Sequence, residues 1–204
     1  DTCIAGALQM GESNACMKRI VAAPTAGACG VLPAVLVPYF QKRCRNTDKI
    51  LKAMYVAAGI GQIIATRSSI SGAAGGCQAE IGAASSMAAG ALVYLQGGDC
   101  TQIANAAAMA MKNLLGLVCD PVAGLVEVPC VKRNVIGTVN AMSAADMAMA
   151  GITSRIPPDQ VMDAMKEVGD KMDASLRETA LGGLAHTEEG MKIAEKMYSS
   201  HKNC

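Results

Sequence analysis

A chain of 204 residues with a formal net charge of +1 carries no electrostatic signature of a nucleic-acid or anionic-membrane partner. Only 2% of it is aromatic, with no Trp and one Phe, so its core must be built from Ala, Val, Ile, Leu and Met. Such a composition favours helices, because strands draw on aromatic and β-branched residues.

Residues 2–19 read as a first helix, with Cys3, Ala7, Met10, Ala15 and Met17 as inward positions. The chain starts at Asp1 rather than Met, without a basic segment leading into an apolar one, so it is expected to carry no signal peptide and to be a processed or truncated piece. The stretch Ala22-Ala23-Pro24-Thr25-Ala26-Gly27-Ala28-Cys29-Gly30 follows. It is a tight turn feeding a helix N-terminus, where free backbone N–H groups suit a carboxylate or phosphate. A capped turn with no ligand is the plainer reading. Residues 31–44 form the next predicted helix, with Pro33 or Pro38 as a kink, and Asp48 is placed to cap a helix over 49–66.

Residues 67–76 are polar and Gly-rich and deliver Cys77. Residues 81–95 are apolar but about a turn short of a bilayer span, and residues 135–152 are interrupted by Asn140, Ser143 and Asp146. Both are expected to be buried helices, not membrane spans. Asp99 and Gln102 have the spacing of a capping box, opening a helix that runs to Leu115 and breaks at Gly116. After residues 119–130, which contain two Pro and a Gly, a helix is expected over 135–150. Pro157-Pro158-Asp159 opens an amphipathic helix with Val161, Met162, Met165 and Val168 on one face. Residues 181–185 break the pattern, and residues 188–198 make a last helix before a polar tail ending on Cys204. With no repeat and no linker, residues 1–204 read as a single compact all-α domain of seven to nine helices.

The nine cysteines are odd in number and irregular in spacing, which suits a reducing cytoplasm better than a disulfide framework. Cys3, Cys16, Cys44 and Cys100 fit small buried hydrophobes within or beside helices, and Cys29 is ambiguous. Cys77, Cys119 and Cys130 each sit at a Gly- or Pro-rich break. Their spacing, C-x41-C-x10-C, lacks the close pairs of zinc ribbons and bacterial ferredoxins. Spacing alone leaves a metal site and structural thiols both open. There is no nucleophile elbow, no Walker A loop and no signature of pyridoxal phosphate chemistry.

Three stretches carry a resemblance. They are Ala22 through Pro33, then Gly75-Gly76-Cys77-Gln78-Ala79-Glu80-Ile81-Gly82, then Gly116 through Asn134, which contains Cys119-Asp120-Pro121-Val122-Ala123-Gly124 and Val128-Pro129-Cys130-Val131-Lys132-Arg133. Together they resemble the α chain or α domain of the iron–sulfur-dependent L-serine dehydratases, over nearly the whole chain. The resemblance implies a lyase converting L-serine to pyruvate and ammonia, in amino-acid degradation and gluconeogenesis. It implies a [4Fe–4S] cluster held by Cys77, Cys119 and Cys130, with one iron open to substrate, and no pyridoxal phosphate. Sulfurs holding corners of one cubane are expected to lie roughly 6–7 Å apart.

No general base is identified; Glu80, Asp120 and Lys132 are the candidates, and a structural ion pair or loop cap is the alternative for Asp120, Lys132 and Arg133. Thr25, Ala26 and Gly27 are the candidates for gripping substrate carboxylate. Asn134 and Arg133 are candidates for orienting substrate or tuning the cluster. Cys204 is the candidate displaceable fourth ligand. The family's further N-terminal portion and its β domain are absent from this sequence, so a β chain or domain is an expected partner, in an oligomer. Two alternatives stand beside this reading: a related lyase on L-cysteine or L-threonine, and a non-catalytic helical subunit with a structural metal.

Overall fold

The computed structural model describes residues 1–200. Among them are nine α-helices and no β-strand, as the composition requires. The helices are α1 (Thr2–Ala15), α2 (Val31–Lys42), α3 (Thr47–Arg67), the single turn α4 (Gly72–Gly75), α5 (Ala83–Gln96), α6 (Cys100–Lys112), α7 (Cys130–Met149), α8 (Pro158–Lys171) and α9 (Glu188–Ser200). No described helix is long and apolar enough to cross a membrane.

The centre of the domain is α5, which packs against α2, α3, α6 and α7. Twelve of its fourteen residues are buried, because it is apolar or small on every face. Its two serines are satisfied rather than exposed. Ser85 Oγ donates to the Gly137 carbonyl and Ser86 Oγ to the Ala107 carbonyl, each at 2.9 Å. Small residues let the helices approach closely. At Gly137 on α7, a Cβ would lie 2.8 Å from the Ile81 Cγ2 methyl and 3.0 Å from that of Val31. A second, smaller core gathers Val161, Met162 and Met165 of α8 against Ile64, Ala83, Ala108 and Met111, which is the apolar face expected of that helix.

Several boundaries differ from the sequence expectation. The first helix stops at Ala15, not at residue 19; Met17 adopts φ +57° and is 92% exposed, so it does not point inward. Asn46, not Asp48, caps α3, accepting from Lys49 N at 3.0 Å, and Asp48 falls within the first turn. In α2, Pro33 lies in the first turn, where no N–H is needed, and Pro38 lies inside. The Gly-rich connector contains α4. Helix α7 begins at Cys130, five residues before the expected start. Cys16 and Cys100 are exposed, not buried.

The Asp99–Gln102 capping box forms in both directions, at 2.8 Å and 3.0 Å. Replacing Asp99 with Ala is expected to cost about 1 kcal/mol and to lower the melting temperature by about 2–4 °C, read by thermal denaturation followed by circular dichroism.

Candidate metal centre

Cys77, Cys119 and Cys130 come from three separate places in the fold and are all buried, at 2%, 3% and 8% exposure. Cys77 precedes a π-helical turn, Gln78–Gly82, that runs directly into α5. This wide turn is pinned by Gln78, a fully buried amide. Its Nε2 donates to the Met165 carbonyl and its Oε1 accepts from Gly116 N, both at 3.0 Å. Gly76, at φ +74°, has no room for a side chain, since a Cβ would meet Met172 and the Leu117 carbonyl. The turn also brings in Glu80.

Cys119 sits on an extended segment that bridges to the stretch before α9. Its N–H donates to the Leu176 carbonyl at 2.8 Å, and its carbonyl accepts from Glu178 N at 2.7 Å. Cys130 is the first residue of α7. The ligand atoms of Cys77, Glu80 and Cys119 lie within 4.8 Å of one another. The two sulfurs are therefore closer than the roughly 6–7 Å expected for cubane corners, because the thiols hydrogen-bond each other.

A cavity of about 340 Å³ opens beside these groups. Cys119 and Cys130 line it, together with Glu80, Glu178, Gly72 and the turn Thr25, Ala26 and Gly27. A Cβ at Gly72 would lie 2.7 Å from Glu80 Oε2 and 3.2 Å from the Cys119 sulfur, so glycine here lets the thiol and the carboxylate reach the cavity. Thr25 Oγ1 donates to Glu80 Oε1 at 2.6 Å. Ala26 and Gly27 open a 3-10 turn, Ala26–Ala28, at whose start N–H groups have no internal partner.

The electrostatics are those of a crowded anionic pocket. The S–H of Cys119 and the Arg133 guanidinium lower the Cys77 thiol, while Cys119, which keeps the shared proton, is raised. Burial pushes the Cys130 thiol up to about 12. Burial also raises Glu80, against the hydrogen bond from Thr25. Arg133 is the balancing cation. Its Nη1 donates to Cys77 Sγ at 3.4 Å and to the Val118 carbonyl at 2.8 Å, and its Nη2 pairs with Asp120 Oδ1 at 2.9 Å. Asp120 Oδ2 accepts from Leu184 N at 2.8 Å. The residue pair expected either to act or to form a structural ion pair thus forms one, with side-chain exposures of 14% and 5%.

The other candidates fall outside the cavity. Lys132 is exposed on α7. Asn134 is 1% exposed, and its amide is fully engaged: Oδ1 accepts from Gly30 N at 2.8 Å, and Nδ2 donates to the carbonyls of Gly27 at 2.8 Å and Cys130 at 2.9 Å. It ties the Thr25 turn to the start of α7. Cys29 is buried and its thiol reaches the Met10 carbonyl at 3.6 Å. Cys204 lies outside the described residues. Glu178, absent from the sequence candidates, stands in a polar stretch with no motif to single it out.

Two buried cysteines on one cavity and a third, Cys77, beside Cys119, with a carboxylate in reach and a guanidinium on Cys77, suit a thiolate-held iron–sulfur cluster. Buried thiols are costly to ionise alone, and a cationic metal centre supplies the compensating charge.

Residues 1–185 match the family model described as serine dehydratase alpha chain. The chain is 52% identical over 195 residues to a probable L-serine dehydratase alpha chain of Bacillus subtilis, covering 96% of this chain and 65% of that protein. It is 50% identical over 195 residues to a similarly named chain of Latilactobacillus sakei, covering 96% and 93%. An Escherichia coli protein named L-serine dehydratase 2 is 47% identical over 182 residues, 88% of this chain but 40% of its own length. The chain thus spans from two fifths to nearly all of the length of these relatives.

Because the Asn134 amide has three buried partners, Asn134→Ala is expected to lower stability by about 2–3 kcal/mol, as buried groups lose their bonds. Urea denaturation checks this.

Proposed function

The chain belongs to the serine dehydratase alpha chain family, and we propose that it is the cluster-bearing part of an L-serine dehydratase, converting L-serine to pyruvate and ammonia. The observation that carries this reading is a cluster of buried groups: the ligand atoms of Cys77, Glu80 and Cys119 lie within 4.8 Å of one another, and Glu80, Cys119 and Cys130 line one small cavity. Cys77, Cys119 and Cys130 would hold a [4Fe–4S] cluster. When bound, the cluster supplies an iron without a permanent protein thiolate, a Lewis acid that turns the substrate's β-hydroxyl into a better leaving group.

The protein's own groups divide the remaining work. The N–H groups opening the Ala26–Ala28 turn, with Thr25, grip the substrate carboxylate. Glu80 is the general base for the Cα proton. It lines the cavity and is oriented by Thr25. Its burial raises its affinity for a proton, as suits a base that must take one. Asp120 is committed to Arg133 and Leu184, and Lys132 faces solvent, so neither competes for that role. Arg133 donates to the Cys77 sulfur and, after the hydrogen bond from Cys119, favours its thiolate form, a supporting task for a residue beside a ligand. Release of the enamine product needs no further protein group, since it tautomerises and hydrolyses in water.

The relatives named as alpha chains support a companion β chain or domain, and the Escherichia coli relative is long enough to carry it in one polypeptide. A cytoplasmic setting suits both the reduced thiols and this activity.

Two outcomes test the reading. Purified without oxygen, the protein is expected to be brown, with about four irons and four sulfides per chain, and to lose serine turnover in air. Ser at any of positions 77, 119 or 130 is expected to reduce iron content and abolish turnover; a colourless zinc protein would overturn the assignment. Glu80→Gln is expected to lower kcat by about 10²–10⁴-fold while iron and sulfide content, measured by chemical analysis, stay at the wild-type level.

A further inference from the structure

The cavity contains a second carboxylate that the reaction as described leaves idle. Glu178 lines the same wall as Glu80, Cys119 and Thr25. Its exposed side chain has no hydrogen-bond or ion-pair partner among the described residues, whereas the buried or half-buried acidic groups at the site have one: Glu80 has Thr25, and Asp120 has Arg133 and Leu184 N. Its backbone is held in an unusual shape. Glu178 adopts φ +65°, a left-handed conformation that costs a non-glycine residue of order 1 kcal/mol. The conformation is fixed by the bond from its N–H to the Cys119 carbonyl at 2.7 Å. The strained residue is thus tied by its own backbone to one of the cluster cysteines. The strain is maintained at a position where glycine would remove it, and the side chain so placed is at the cavity.

We propose that Glu178 is a substrate-binding residue that accepts the α-ammonium group of the amino-acid substrate and so selects amino acids over hydroxy acids. This rests on the proposed serine dehydratase reading and deepens it. An amino acid brings three polar groups into the site. The Thr25 turn provides donors for the carboxylate, and the hydroxyl goes to the metal. The ammonium needs an acceptor, and the cavity has two anionic oxygen groups. Glu80 is occupied by Thr25 and by the Cα proton. Glu178 is unpaired and stands at the opposite end of the chain's contribution to the site. A carboxylate paired with an ammonium forms the strong, charge-assisted kind of hydrogen bond. Anchoring the ammonium there, and the carboxylate on the Thr25 turn, turns the Cα–H bond of one enantiomer toward Glu80.

The test uses the anaerobically purified full chain, with its partner chain if it has one, and the variants Glu178→Gln and Glu178→Gly. Serine turnover is measured together with inhibition by glycerate, which keeps the carboxylate and β-hydroxyl but replaces the ammonium with a neutral hydroxyl. Both variants are expected to raise KM for L-serine about 10–100-fold, with the iron content unchanged. Glycerate inhibition is expected to change far less, because its neutral α-hydroxyl gives a carboxylate a weaker bond than an ammonium does, and its own carboxylate gains from the lost negative charge. Glu178→Gly is also expected to melt no lower than the wild type, since it relieves the left-handed strain, which separates loss of the contact from loss of fold. Wild-type KM for serine in both variants, or equal weakening of serine and glycerate, overturns the assignment of Glu178. A wild-type protein that carries iron but does not turn over serine overturns the functional reading beneath it instead.

Discussion

Crowding of negative charge governs this protein. Three thiols and a carboxylate share one buried spot, and Arg133 is the cation whose charge reaches them. Left alone, such groups would keep their protons, because ionising them in a low-dielectric interior is expensive. The surrounding architecture follows from managing that cost. Asp120 fixes the guanidinium, Leu184 N fixes Asp120, and the Val118 carbonyl holds the other side of the fork. A bidentate, planar cation suits this task better than an ammonium would, since it serves a sulfur, a carbonyl and a carboxylate at once.

Precision at the site is borrowed from a core that is almost devoid of aromatic side chains. Helix α5 is buried on every face and begins directly from the π turn that follows Cys77, while α7 begins at Cys130. Two of the three thiols therefore sit at the ends of the helices that pack most deeply. Small side chains bring the elements close together, as at Gly137 on α7, where the methyls of Ile81 and Val31 already fill the space a Cβ would take. A core packed this closely transmits little motion, and the positions of the two cysteines inherit its rigidity. Cys119 lacks such a base and depends on backbone bonds to Leu176 and Glu178.

Much of the fold was legible in the chain alone, for physical reasons that differ from residue to residue. The capping box at Asp99 and Gln102 is local chemistry, and it forms as spaced. The apolar face of α8 is periodic, and Val161, Met162 and Met165 are buried as expected, while Val168 is only half-buried. Helix ends were less legible. Nothing local in Cys16 or Met17 announces that α1 stops at Ala15, and the five residues before 135 join α7 although Pro129 stands just ahead of them. At the site, the cysteines at Gly and Pro breaks are buried close together, but spacings of 41 and 10 residues carry no geometry. Asn134 could be read as a ligand-facing amide; only its three buried partners reveal a clamp. Glu178 had no signal at all, because what sets it apart is a backbone angle imposed by Cys119, 59 positions earlier.

The bridge between Cys119 and residues 176–178 also bears on how the molecule comes into being. Translation delivers Cys77, Cys119 and Cys130 well before Leu176 and Glu178. Residues 28–148 hold the larger core among themselves, so the thiols can gather while the wall that the later segment provides has not yet been made. For that interval the pocket is open on one side. Closure comes only when the bonds to Cys119 form, after residues 176–178 have been made. A chain built in this order keeps its cofactor site reachable until the scaffold that must hold the cofactor is ready.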